Sequence, residues 1–301
     1  MNIKAKNFVT AYYKLARRLN YPHLFQNEDI KVNSLSDTYE ILNVSIECDC
    51  NNFNRVNTNK CKFSDKYYLI ENLWYAFGNN NGKFVAKYAT MWYQMMDEYC
   101  HVRSNYGDTI RQMYGFNQLH SVVDILKEDP ETRRAVIYLS NTVCTYKSKN
   151  VLPDMPCTNT LQFFIRNNKL HLMVNMRSND IIYGLRYDAP FFMMLQQIVA
   201  HELEIEVGKY YHTSNSMHIY KKDIFKLDSL CDKNNYDNCI SPDLSSLWTC
   251  PETSLFYDAI SINDAKIESP EVGAFISLIN LMSEKFNDSE EKLFDVLEPK
   301  I

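Results

Sequence analysis

Covalent chemistry needs a nucleophile, and Cys157 in the segment MPCTNT is the first candidate. Pro156 before it lacks an N–H and fixes the entry angle of the chain. A thiol at the mouth of a strand, near arginines, can be held as the attacking thiolate. Position alone suits a buried structural cysteine at least as well. Arg133 and Arg134 stand between Pro130 and the apolar run 135–139. Neighbours at a strand start point to opposite sides, so one can serve its own subunit's ligand and the other a neighbour's. A solvated basic pair is the plain alternative. The densest polar cluster is NMRSNDIIYGLRYDAP, residues 175–190, directly after an apolar strand pattern. There Arg177 and Ser178 suit a phosphate, a planar fork beside a hydroxyl donor. Asn179, Asp180, Arg186 and Asp188 complete the cluster, and Asp188, two residues before Pro190, equally suits a helix cap. His218 and Tyr220 share one strand face, either to bond a sugar hydroxyl or as satisfied core residues. Glu71 is a carboxylate inside the apolar pattern KYYLIENLWYAF, and buried acids are rare unless paired or functional.

Elements of regular structure must hold these residues. Helical spacing of Phe8, Ala11, Tyr12 and Leu15 predicts a helix over 5–19. Residues 26–65 are rich in Asn and predict loops and strands. A mostly buried helix is predicted over 66–77, ended by Gly78. Another helix is predicted over 117–128, followed by a buried strand over 135–139. Alternation at Leu161, Phe163, Ile165 and then Leu170, Leu172, Val174, Met176, around Asn167-Asn168-Lys169, predicts a β-hairpin. Pro190 is expected to begin a central helix, and 208–220 a further strand. Residues 228–255 read as loop and 270–286 as a last helix. Strands and helices alternate without a regular βαβ beat, so the fold class is α+β or irregular α/β.

Composition narrows the chemistry. Of 301 residues, 46% are hydrophobic, and the 21 Tyr and 16 Phe supply ample surface for a core, which excludes a disordered chain. A net charge of -5 argues against a dedicated duplex-DNA binder but not against a small anion held by a few arginines. No run approaches the roughly 20 apolar residues of a membrane span, and no signal-peptide pattern opens the chain. Nine cysteines at irregular spacing suit a reducing, cytoplasmic compartment. Cys48-x-Cys50 with Cys61 and Cys100-His101, or Cys231, Cys239 and Cys250, lack paired CxxC spacing, so no metal site is expected. With seven Gly there is no phosphate-binding glycine loop.

The order of these landmarks is more specific than any one of them. Glu71 in ENLWYAFG, Tyr106-Gly107 in SNYG, Arg133-Arg134, Cys157, Gln162, RSND at 177–180, Gly184 and His218-x-Tyr220 resemble the thymidylate synthase family. The resemblance is clearest over 66–222, with 223–301 divergent. It implies a single domain over 1–301 with a twisted mixed β-sheet packed with helices, forming a homodimer through the sheet. Two departures point to a branch. The family usually has His after the nucleophile and Asn eight residues beyond the RSxD aspartate; here Thr158 and Asp188 stand there. Those residues, with Trp92 fourteen before Tyr106, look like the phage deoxycytidylate hydroxymethylases.

The resemblance implies hydroxymethylation of dCMP at C5, with 5,10-methylenetetrahydrofolate as cosubstrate and no metal. Cys157 is then the nucleophile and Glu71 the group that orders water. Asp188 selects the base, Asn179 and Tyr106 lie near the nucleophile, and Gln162 is on the substrate side. Arg177 and Ser178 hold the phosphate, helped by the partner's copies of Arg133 and Arg134. His218 and Tyr220 hold the sugar hydroxyl; Asp180, Trp92 and Gly184 face the folate. No membrane or nucleic acid is required, and a phage-encoded enzyme works in the host cytoplasm. Alternatives are a thymidylate synthase, a dCMP methylase, a CMP hydroxymethylase, or a non-catalytic nucleotide- or RNA-binding homologue. A synthase-type arginine loop has Arg55 as its only candidate, and the closing C-terminus of the synthases has no matching counterpart at 298–301.

Overall fold

The computed structural model describes residues 1–21, 30–33, 38–50, 56–78, 80–140 and 154–236. Arg55, the 237–255 part of the expected loop, the expected helix at 270–286 and the C-terminal end lie outside the described residues. The chain divides into two compact units, one of Met1–Phe63, Gly115–Lys147 and Pro156–Ser241, the other of Ser64–Tyr114, Ser148–Met155 and Pro242–Ile301.

An eight-stranded mixed sheet organises the first unit. Its strands are β1 (Asn2–Lys4), β2 (Ile30–Asn33), β3 (Thr38–Asp49), β4 (Val136–Tyr138), β5 (Thr158–Arg166), β6 (Lys169–Met176), β7 (Asn179–Asp180) and β8 (Glu206–Tyr220). The order is β1-β3-β8-β6-β5-β4, with β2 on β3 and β7 on β8. The expected hairpin is β5–β6, closed by Arg166 opposite Lys169 with Asn167 and Asn168 at φ 52° and 57°. Asparagine tolerates this left-handed conformation, which gives the two-residue turn the twist of its strands. Helix α5 (Gln118–Glu128) precedes β4, and β6 and β8 are parallel because helix α6 (Leu185–Glu202) intervenes between them.

One sheet face, with Leu161, Phe163, Leu172, Val174, Tyr210 and Ile46, is buried. Alternation puts Thr160, Phe164, Met173, Asn175, Tyr211 and Thr213 on the other face, where Met173 is 43% exposed. Helix α1 (Phe8–Asn20) starts three residues later than the spacing predicts, because Asn7 caps it by accepting from Thr10 N and β1 precedes it.

Pro190 does not begin its helix. Helix α6 starts at Leu185, so Pro190 sits inside it. Tertiary anchoring overrides the local signal. The N–H groups of Tyr187 and Asp188 donate to Gly184 O, and Arg186, 3% exposed, donates to Val56 O, Cys61 O and Cys61 Sγ. Phe63 and Tyr187 flank the guanidinium. Arg186 therefore fastens the first turn of α6. Asp188 is an interior helix residue and not a cap.

His212, on the buried face of β8, bonds Tyr210 Oη through Nδ1 at 2.9 Å. Burial lowers its pKa from 6.5 to about 3. The unfolded chain takes up this proton below the ordinary value while the folded chain does not. Stability is therefore present above that value and lost as pH falls toward the folded pKa. We expect urea unfolding to show the parent losing about 2 kcal/mol more than His212→Gln between about pH 7.5 and about pH 5. Equal losses would contradict a neutral buried imidazole.

The second unit is helical in its described residues: α2 (Asp65–Phe77), α3 (Lys83–Ala86), a 3-10 turn (Thr90–Gln94) and α4 (Tyr106–Arg111). Ser64 caps α2 and Gly78, at φ 66°, ends it in the left-handed region. Gly107 starts α4 against α2 so closely that a Cβ would lie 1.7 Å from Tyr75 O, so only glycine fits.

Candidate active site

Cys157 is half-buried, immediately before β5, and the end of β6 grips its loop. Arg177 N donates to Cys157 O at 2.8 Å and Arg177 Nε to Pro156 O at 3.0 Å. The pairing of β5 with β6 thus delivers an arginine to the thiol's own loop, the electropositive setting a thiolate needs. Burial raises the thiols of Cys48, Cys50 and Cys61, and that of Cys231 to about 11, which makes them poor nucleophiles.

β7 lies parallel to the end of β8, with Asn179 opposite Met217 and Asp180 opposite His218. This register sets Ser178 Oγ 3.4 Å from His218 Nδ1. The His218 and Tyr220 rings meet edge to face at 5.5 Å. Burial raises the Tyr220 phenol, reinforced by Asp180 and by Cys157.

Asn179, 2% exposed, donates from Nδ2 to Asp188 Oδ2 at 2.7 Å. The same Nδ2 lies 2.9 Å from Met176 Sδ. Its Oδ1 is buried and has no hydrogen-bond partner among the described residues. Asp180 Oδ1 accepts from the N–H groups of Ile182 and Tyr183, while Oδ2 is likewise buried and unmatched. Burial holds the Asp180 carboxyl above the usual carboxylate range, opposed by those N–H donors and by His218. A Cβ on Gly184 would stand 3.0 to 3.3 Å from Asp180 O, Asp188 Oδ2 and Asn179 Nδ2, so the glycine keeps this cluster intact.

Arg133 and Arg134 are both exposed. Gln162 Nε2 donates to Arg133 O at 2.9 Å, tying the pair to β5. Gln162 is five residues past Cys157 along the strand, roughly 16 Å at ~3.3 Å per residue. The structure therefore brings Gln162 to Arg133 and not beside the thiol.

In the second unit, Glu71 is 8% exposed and Trp92 6%. Tyr67 Oη donates to Glu71 Oε1 at 2.6 Å and accepts from Trp92 Nε1 at 3.1 Å. Trp92 also meets Trp74 edge to face at 5.1 Å. Tyr106, 5% exposed, packs on Tyr75 with ring centroids 5.3 Å apart.

The family model described as thymidylate synthase matches residues 23–270. The chain belongs to the thymidylate synthase family. This thymidylate synthase family member is 31% identical over 169 residues to the deoxyuridylate hydroxymethyltransferase of Bacillus phage SP01, covering 52% of this chain and 44% of that protein. It is 32% identical to the thymidylate synthase of Mycoplasma genitalium over 40% of each chain. With the deoxycytidylate 5-hydroxymethyltransferase of Enterobacteria phage T4 it shares 26% identity, over 55% of this chain and 71% of that protein. The matched stretch thus spans less than half of the first two relatives. The thermostable thymidylate synthase A from Bacillus subtilis superposes with a TM-score of 0.61 at 20% identity, covering 81% of this chain and 92% of that one. The α+β fold expected from sequence is the fold of this family.

Sequence reasoning missed Tyr67, although it stands one helical turn before Glu71, where i and i+4 side chains meet. It also missed the bonds of Tyr183 Oη and Lys226 Nζ to Asp223; Asp223 and Lys226 stand at i and i+3, whereas Tyr183, forty residues away, carries no spacing signal. Among the described residues, no group of three or more His, Cys, Asp or Glu is placed to hold a metal. Likewise no described helix is long and apolar enough to cross a membrane.

Proposed function

We propose that this family member is a pyrimidine nucleotide 5-hydroxymethyltransferase that converts dCMP to 5-hydroxymethyl-dCMP, with 5,10-methylenetetrahydrofolate as cosubstrate. One observation carries the choice of base: α6 presents the Asp188 carboxylate, held by the Asn179 amide, where synthases usually have an amide. Uracil offers a donor at N3 and an acceptor at O4, which suit an amide. Cytosine offers an amino donor at N4, which a carboxylate accepts; N3 then either accepts a hydrogen bond from a protonated acid or is itself protonated and donates to the carboxylate. A site that leaves buried polar groups mispaired loses several kcal/mol, ample for discrimination. The SP01 relative is named for deoxyuridylate, so Asp188 decides between two bases within hydroxymethyl chemistry.

The buried acceptors Asp180 Oδ2 and Asn179 Oδ1 fit a ligand rich in N–H donors, as a reduced pterin is. When bound, the folate supplies a one-carbon unit. Asp180, Trp92 and Gly184 are the residues assigned to hold it. The Cys157 thiolate adds to C6 of the pyrimidine, which makes C5 nucleophilic toward that unit. The C5 proton and tetrahydrofolate then leave, water adds at the exocyclic methylene so formed, and the sulfur departs from C6. Glu71 orders the water and relays protons, and Tyr106 is assigned to the same catalytic set. Arg177 and Ser178 bind the phosphate, with Gln162 holding the Arg133 backbone. His218 and Tyr220 bind the sugar hydroxyl. Exposed Arg133 and Arg134, anchored far along β5 from their own Cys157, suit a homodimer in which they reach the partner's phosphate. The half-exposed sheet face with Met173 is the surface we assign to that contact.

Tritium release from C5-labelled nucleotide, with methylenetetrahydrofolate present, tests the base assignment. Release is expected from dCMP and at least ~100-fold less from dUMP. Release from dUMP alone would refute it.

A further inference from the structure

We propose that Tyr67 is a positioning residue whose phenol, oriented by the Trp92 indole, directs its single proton onto Glu71 Oε1 and so fixes the polarity of the proton relay. This rests on the assignment of Glu71 as that relay. Donor and acceptor capacity sets the direction of each bond. An indole N–H can only donate, so at the 3.1 Å contact Tyr67 Oη must accept from Trp92. A phenol has one proton, which leaves it to be donated at the 2.6 Å contact with Glu71. Oε1 is therefore an acceptor, and any proton that Glu71 carries or delivers sits on Oε2.

The chain Trp92 → Tyr67 → Glu71 runs in one direction only. Each member is fixed independently. Tyr67 and Glu71 are i and i+4 on α2, whose first turn Ser64 caps by accepting from Tyr67 N. Trp92 is wedged edge to face on Trp74, whose own Nε1 donates to Asn81 O. The residue assigned to the folate side is thus hydrogen-bonded, through one hydroxyl, to the carboxylate assigned to water. Seating a ligand against the indole bears directly on the orientation of that carboxylate.

The test uses the full chain and whichever pyrimidine nucleotide the tritium assay selects. Tyr67→Phe keeps the ring and removes only the donor. We expect its kcat to fall on the order of tenfold, with the KM for nucleotide within about twofold. The acidic limb of the kcat profile should move up by about one pH unit, because a carboxylate deprived of a donor is protonated more readily. A residue that only filled space would leave that limb in place. Trp92→Phe should move the limb in the same direction, and the double variant should lose no more than Tyr67→Phe alone. If Tyr67→Phe fails to fold, Trp92→Phe carries the test by the direction of its limb. Parental kcat and an unmoved limb in the folded variants, while Glu71→Gln is crippled, would overturn the role of Tyr67. Full activity of Glu71→Gln would instead remove the relay on which it rests, and this proposal with it.

Discussion

Cys157→Ala is expected to lower turnover by at least ~10³-fold while leaving nucleotide affinity within a few-fold of the parent. The two readouts separate because the groups assigned to the phosphate and sugar, Arg177, Ser178, His218 and Tyr220, are held by backbone register and not by the thiol. Arg177 N reaches Cys157 through the carbonyl oxygen, which alanine retains. The variant should also lose C5 tritium exchange, since without sulfur at C6 the ring carbon never becomes nucleophilic. Stopped-release kinetics and equilibrium dCMP binding check both halves. Residual turnover within tenfold of the parent would remove the covalent scheme.

Asp188→Asn is expected to move preference toward dUMP, lowering kcat/KM for dCMP on the order of 10² to 10³-fold and raising that for dUMP. Several kcal/mol of mispairing convert to a ratio of this size. The substitution is close to isosteric, and the introduced amide oxygen can still accept from Asn179 Nδ2, so the cluster under Gly184 need not rearrange. An unchanged dCMP-to-dUMP ratio, in a variant with parental thermal stability, would reduce Asp188 to a structural partner of Asn179.

Much of the sheet was legible because its signal is local. The β5–β6 hairpin follows from period-two alternation and two asparagines that tolerate positive φ. Helix α2 follows from its apolar run and the glycine at its end. The start of α6 was not legible, because long-range bonds from Arg186 to Val56 and Cys61 hold a turn that local rules would end at Pro190. The anchoring by Arg186 was hidden for the same reason: its partners at 56 and 61 lie far from the polar cluster in sequence. Within the candidate site, order along the chain nominated Cys157, Arg177, Ser178, Asn179, Asp188 and His218. The register of β7 on β8 and the helix α6 then bring those on the first unit together. The unmatched oxygens of Asn179 and Asp180 could not be foreseen, since satisfaction of a buried acceptor depends on neighbours far apart in sequence.

The central claim is a hydroxymethyl product made from the amino-bearing pyrimidine, and the mass of the product tests it most directly. Protein incubated with dCMP and 5,10-methylenetetrahydrofolate should yield a nucleotide heavier by one CH₂O unit, with tetrahydrofolate as coproduct. A gain of only CH₂, accompanied by dihydrofolate, or product formed from dUMP and not from dCMP, would contradict the account.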